Sequence, residues 1–203
     1  MIKIEECGEP LVDLKKVCPE LIIRLGKKNE IAYVRKTIAL KIKKALSFLP
    51  KGMTFVIRSA WRSPKVQEET FKSFVRKAKK NFPKASDKQI IQIAKKYVAP
   101  FKGKYASGHL TGGAIDLRLL KNGRKIPMRL RELSYSQNAL SNQPKLPLYL
   151  QRNREIMFGA LSKVGLSNYP KEFWHWSYGD IQWAQRTGQK RAIYRTILKP
   201  QSI

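Results

Sequence analysis

Apolar residues recur at helical spacing between residues 30 and 48, at Ile31, Val34, Ile38, Ile42, Ala45 and Leu46. That stripe predicts a core-facing helix, and Pro50-Lys51-Gly52 ends it. Thr54 to Trp61 is β-branched and aromatic and reads as a strand. Pro64 suits the first turn of a helix that runs to about Asn81, and Ser86-Asp87 opens a further helix to about Val98. Pro100 to Gly108, with its Gly, Lys and Tyr residues, reads as a loop. Gly113 to Leu120 predicts a strand, and Lys121-Asn122-Gly123-Arg124 a tight hairpin turn after it. Residues 134 to 147, which hold Asn138, Asn142, Pro144 and Pro147, predict irregular chain. Leu150 to Val164 is an amphipathic helix ended by Gly165. Phe173 to Tyr178 predicts an aromatic strand, Ile181 to Thr187 a short helix and Arg191 to Leu198 a closing strand. Helices and strands mix without regular alternation, which points to an α+β fold rather than a doubly wound sheet.

No repeat, low-complexity segment or long linker divides the chain, so residues 1–203 read as one domain. A chain of this length buries a core of its own. No apolar run approaches the ~18 residues that span a membrane. The first residues carry Glu5, Glu6 and Glu9 and no apolar segment of a secretory signal, so a cytoplasmic protein is expected. Cys7 and Cys18 match no common zinc spacing and read as free thiols.

Charge changes the picture more. Forty-two Lys and Arg stand against fourteen Asp and Glu, a formal net charge of +28. Such a field attracts polyanions. The cations are spread along the whole length, and no helix-turn-helix, zinc-finger or RNA-recognition signature is present. The expectation is nonspecific polyanion contact without a dedicated nucleic-acid module.

The chain spends both of its histidines in two short segments, Ser107-Gly108-His109-Leu110-Thr111-Gly112-Gly113-Ala114-Ile115-Asp116 and Glu172-Phe173-Trp174-His175. Two imidazoles and one carboxylate make a three-ligand set that leaves a tetrahedral zinc one open position for water. Glu172 then remains to handle protons. His109 and Asp116 are an odd number of residues apart and would point to opposite faces of a flat strand. Gly112-Gly113 permits a turn between them, with His109 on the loop and Asp116 on the strand. Glu172 and His175 raise the same difficulty, so the chain is expected to enter its strand after Glu172. Taken singly, His109 also suits a polar loop and His175 a hydrogen-bonded core position. Asp180 suits either a partner of a metal-bound imidazole or the cap of the following helix.

The first segment resembles the SxHxxGxAxD signature of the zinc D-alanyl-D-alanine dipeptidases and their relatives, the D,D-carboxypeptidases and the hedgehog-type zinc fold. The second resembles their ExWH signature. Ser59-Ala60-Trp61-Arg62-Ser63-Pro64 resembles the strand-end GYRP segment of the dipeptidases, and Asn153-Arg154 to Gly165-Leu166 the helix before ExWH. The resemblance runs from about residue 54 to 185. It implies a single α+β domain with a mostly antiparallel central sheet flanked by helices. Residues 1–53 would form a helical N-terminal part and 54–185 the catalytic core.

By position, the resemblance implies that His109, Asp116 and His175 hold one zinc ion and that Glu172 is the catalytic base. Arg62 would stabilise the oxyanion, and Ser107 would lie near the substrate carboxylate. The implied activity is zinc-dependent hydrolysis of D-alanyl-D-alanine, or a related D-amino-acid dipeptide, by zinc-bound water that Glu172 activates. A second possibility is a D,D- or L,D-carboxypeptidase or endopeptidase acting on peptidoglycan stem peptides. A third, of a different class, is a binding module that uses zinc structurally or a basic polyanion-binding protein. The dipeptidases carry an acidic residue after a Pro-Met segment, which holds the substrate ammonium. Here Arg129-Leu130-Arg131-Glu132-Leu133 follows Pro127-Met128, and Glu132 is the one residue able to take that role.

Overall fold

The structure is a computed structural model that describes residues 2–27, 30–100 and 107–199. Strands β1 (Lys3–Ile4) and β2 (Leu11–Asp13), helix α1 (Leu14–Val17) and strands β3 (Ile22–Ile23) and β4 (Tyr33–Arg35) precede helix α2 (Lys36–Leu46). Strand β5 (Met53–Ser59) leads into helices α3 (Pro64–Asn81) and α4 (Asp87–Lys95). A 3-10 turn at Gly108–Thr111 opens strand β6 (Ala114–Lys121), which hairpins into β7 (Arg124–Lys125). Helices α5 (Tyr135–Ala139) and α6 (Leu148–Ser162), strands β8 (Ser167–Tyr169) and β9 (Glu172–Ser177), helix α7 (Ile181–Arg186) and strand β10 (Arg191–Ala192) complete the order.

The main sheet runs β3-β5-β6-β9-β8, with β7 added on β6. Only β3 and β5 pair in parallel; the other pairings in this sheet are antiparallel. Alternation along the strands sorts the two faces. Phe55 and Ile57 of β5, and Ile115, Leu117 and Leu119 of β6, pack into the core with Ile38 and Ile42 of α2 and Met157 and Leu161 of α6. Each such side chain, taken fully out of water, contributes roughly 1.5–3 kcal/mol. Asp116 and Arg118 leave β6 on the other face, and that face carries the site.

Local chemistry explains most element ends. Pro64 opens α3, where Ser63 accepts a hydrogen bond from the Val66 N–H at 3.2 Å. Ser86 and Gln89 cap α4 reciprocally. Asn122 (φ 49°) and Gly123 (φ 76°) make the left-handed pair that a two-residue hairpin turn needs.

The structure differs from expectation in four places. The helix predicted from residue 31 starts at Lys36, because Tyr33-Val34-Arg35 is a strand paired with β2 and also tied to the site: Trp61 N–H donates to Tyr33 O and Arg35 N–H to Gly112 O. The N-terminal part, expected to be helical, therefore holds four short strands beside α1 and α2. Residues 134 to 147 are not wholly irregular, since Ser134 and Gln137 form a capping box that starts α5. The closing strand shrinks to Arg191–Ala192, paired in parallel with β1. Most of the Pro100-to-Gly108 loop, residues 101–106, lies outside the described residues.

One buried cation ties the N-terminal part to the catalytic core. Arg35 is 2% exposed. It donates to both carboxylate oxygens of Glu6 (2.9 and 3.0 Å), to Thr111 O (2.8 Å) and to Arg195 O (3.2 Å). Removing one partner of a buried ion pair strands the other. Arg35→Ala is therefore expected to lower unfolding free energy by about 3 kcal/mol in urea titration, and a loss below about 1 kcal/mol would contradict this account.

Candidate metal centre

His109 sits on the 3-10 turn rather than on a strand. Ser107 Oγ accepts from the His109 N–H at 3.4 Å and starts the turn. Gly112 (φ +71°) ends it in the left-handed region, and a Cβ there would strike Leu11. The chain is thereby redirected into β6, as Gly112-Gly113 predicted. Arg35 fixes the same turn through Thr111 O and Gly112 O. Asp116 then meets His175 as a direct cross-strand neighbour in the β6–β9 ladder.

Glu172 lies on β9 itself, as its first residue, where the sequence suggested that the strand begins after it. A register shift between Asn168 and Tyr169 of β8 resolves the parity problem instead. The Asn168 amide holds this irregularity by donating to Glu172 O (3.3 Å), Phe173 O (3.2 Å) and His175 O (3.0 Å). Glu172 and His175 thus line one cleft.

The three candidate ligands converge. His109 Nε2 is 3.3 Å from Asp116 Oδ1, and His175 Nδ1 is 2.9 Å from the same oxygen. All three donor atoms lie within 4.8 Å of one another, and all three residues are buried. Ligands bound at about 2.0–2.1 Å on a tetrahedron stand about 3.3 Å apart, so the spacing suits zinc. His109 Nδ1 is 2.8 Å from Ala60 O, a pairing that needs the proton on Nδ1 and turns the Nε2 lone pair toward Asp116.

Electrostatics fit the same reading. Burial, reinforced by the Arg62 charge, pushes the His109 imidazole down to about 4 and keeps it neutral at physiological pH. Burial works against the Asp116 charge, but His109 and His175 outweigh it and hold its carboxyl well below the usual range. Burial also opposes protonation of His175, yet its hydrogen bond to Asp116 and that carboxylate's charge raise it overall. Glu172 goes the other way. Burial first, then the Asp116 charge, push its carboxyl up to about 7.

Arg62 reaches the cleft at the end of β5, where it is held firmly. Its Nε donates to Glu30 Oε1 (2.9 Å) and Ser59 Oγ (2.8 Å), and its Nη2 to Asp116 Oδ2 (3.1 Å). Ser107 also lines the cleft. Glu132 does not. Asn138 bonds the backbone of Leu130 and Leu133, folding residues 130–133 into a turn, and Glu132 is exposed and outside the cleft lining. Asp180 takes the capping role: its Oδ1 accepts from Trp183 N–H at 2.6 Å. The helix resembling the one before ExWH acts structurally, since the Arg154 guanidinium donates to the carbonyls of Met128, Asn138 and Leu140.

Some contributors carried no sequence signal. Glu30 is 7% exposed and orients Arg62 from a loop with no motif. Lys27, Lys95, Lys96 and Lys171 line the cleft, and among the described residues Asp116 and Glu172 are its only carboxylates. The cleft holds about 570 Å³.

The profile of the M15 peptidases, described as D-Ala-D-Ala dipeptidase, matches residues 11–192. The chain belongs to this family. It is a peptidase, and its cofactor is zinc. A D-alanyl-D-alanine dipeptidase of Synechocystis sp. is 26% identical over 228 aligned residues, covering 97% of this chain and 92% of the relative. Two solved structures share the fold. VanYB in complex with D-alanine-D-alanine matches with a TM-score of 0.52 at 16% identity, over 77% of this chain and 79% of that one. A variant of the vancomycin-resistance D,D-pentapeptidase VanY in complex with Zn(II) matches with a TM-score of 0.51 at 14% identity, over 94% of each chain.

Elemental analysis of the purified protein is expected to give about one zinc per chain. Asp116→Ala should abolish it, and zinc should raise the melting temperature of the wild type but not of that variant. Full zinc content in Asp116→Ala would show that another set of residues holds the ion.

Proposed function

We propose that the chain hydrolyses the peptide bond of D-alanyl-D-alanine or a closely related D-amino-acid dipeptide. The observation that carries this reading is a half-buried carboxylate outside the ligand set, Glu172, lining the same cleft as a converged His-Asp-His set. Zinc held by His109, Asp116 and His175 supplies Lewis acidity, polarising a carbonyl and lowering the pKa of water toward ~7. Glu172, pushed up to about 7, is matched to accept a proton from the attacking water and return it to the leaving amine near neutral pH. Arg62, pinned by Glu30 and Ser59, places a fixed positive charge at the cleft where the carbonyl oxygen turns negative. Lys27, Lys95, Lys96 and Lys171 attract the substrate's terminal carboxylate.

A second reading rests on the same lining. With Glu132 turned away, no carboxylate beyond Asp116 and Glu172 faces the cleft to hold a free ammonium among the described residues. The cleft volume falls in the range of sites for ligands larger than a dipeptide. Both features favour a substrate whose amino side is acylated, as in a peptidoglycan stem peptide cut at its carboxyl end.

Release of free alanine from D-Ala-D-Ala and from a stem pentapeptide tests both readings. Glu172→Gln is expected to lower kcat by about 100- to 10,000-fold while keeping zinc. Higher kcat/KM on the dipeptide supports the first reading, and higher kcat/KM on the pentapeptide the second. A zinc-loaded wild type that releases alanine from neither contradicts both.

A further inference from the structure

Beside the cleft lies a second cavity of about 410 Å³ whose chemistry the peptidase reading does not use. Arg24, Arg58, Arg118, Lys125 and Arg129 line it, and no carboxylate does. All fourteen Asp and Glu of the chain are among the described residues. None stands within 4.0 Å of any of these five cations. Elsewhere the fold meets its partly buried arginines with acceptors, as with Glu6 for Arg35, Glu30 for Arg62 and backbone carbonyls for Arg154. Here no carboxylate or backbone carbonyl meets the two partly buried ones, Arg118 and Arg129, and Arg129 Nε is buried with no hydrogen-bond partner.

Two of the guanidiniums are also preorganised. Arg129 Cζ stacks 4.8 Å from the Trp174 ring centroid and 5.3 Å from that of Tyr135, and Arg118 Cζ lies 5.5 Å from Trp174. Stacking on aromatic faces limits the freedom that an anion would otherwise have to remove on binding. Trp174 and Tyr135, on whose rings Arg129 lies, also line the peptidase cleft, so the two cavities are neighbours. Asp116 and Arg118, two residues apart on β6, project from the same sheet face into the neighbouring sites.

We propose that this cavity is a phosphate-binding site distinct from the metal centre, with which its lining shares no residue. Several planar guanidiniums around one space match the oxygens of a phosphate group, which each can grip with two parallel hydrogen bonds. The site goes beyond the peptidase reading and stands whether the cleft takes a dipeptide or a stem peptide. It also gives one defined place for the polyanion contact that the net charge of +28 suggests only in a general way.

Calorimetric titration of the zinc-loaded protein with inorganic phosphate tests the proposal. One saturable site is expected. Arg58→Ser/Arg129→Gln should weaken it about tenfold or more, the effect of losing charge-assisted hydrogen bonds. Arg24→Ser/Arg58→Ser changes only exposed residues and guards against a folding defect in the first variant. Lys43→Ser/Lys44→Ser removes the same charge from the exposed side of α2 and should leave affinity within about twofold. Equal weakening in all three variants would overturn the proposal in favour of diffuse charge. So would the absence of saturation, or binding lost in His109→Ala but retained in both arginine variants, which would place phosphate on the metal.

Discussion

The Asp116 carboxylate is the charge around which the site is organised. A buried carboxylate is tolerated only when other groups take up its lone pairs. Here one oxygen faces both imidazoles and the other accepts from Arg62. The same charge sets its neighbours apart. It raises His175, and together with burial it holds Glu172 near 7, while burial and Arg62 keep His109 neutral. One carboxylate is thereby fixed as a ligand and the other freed to carry protons, although both belong to the same sheet. Environment separates the two roles.

The scaffold spends its irregularities on bringing these groups together. A left-handed glycine turns His109 back over Asp116, a slipped register on β8 brings Glu172 round to His175, and an Asn168 amide locks that slip. A further register shift, at the end of β5 between Ile57 and Ser59, precedes Ala60, whose carbonyl orients His109, and Arg62. Regular strands alone would have scattered the four groups over two faces. Arg35 and Glu30 extend the dependence into the N-terminal segment, which grips the His109 turn and the Arg62 side chain from outside the motifs.

What was legible in the sequence follows from how local each signal is. Pro64, the Ser86 cap and Asn122-Gly123 act within a few residues, and they mark their helices and hairpin correctly. The two histidine segments carry the metal set because its ligands are few and chemically distinctive. Tyr33 to Arg35 misled because apolar spacing of three or four residues suits a helix, whereas Val34 is buried by pairing with β2, a contact made across distant chain. The capping box at Ser134 and Gln137 was readable but was masked by the surrounding Asn and Pro residues. Glu30 and the Ala60 carbonyl were not readable, since a buried acid on a loop and a backbone acceptor have no pattern of their own. Glu132 shows the converse: a plausible residue type near the expected position, turned outward by the Asn138 hydrogen bonds.

The most direct test of the central claim is X-ray absorption fine structure of the zinc-loaded protein. Two imidazoles and one carboxylate oxygen are expected at about 2.0–2.1 Å, with one further light-atom ligand and no sulfur. A zinc–sulfur distance near ~2.3 Å, drawn from Cys7 or Cys18, or a shell holding fewer than two imidazoles, would contradict it.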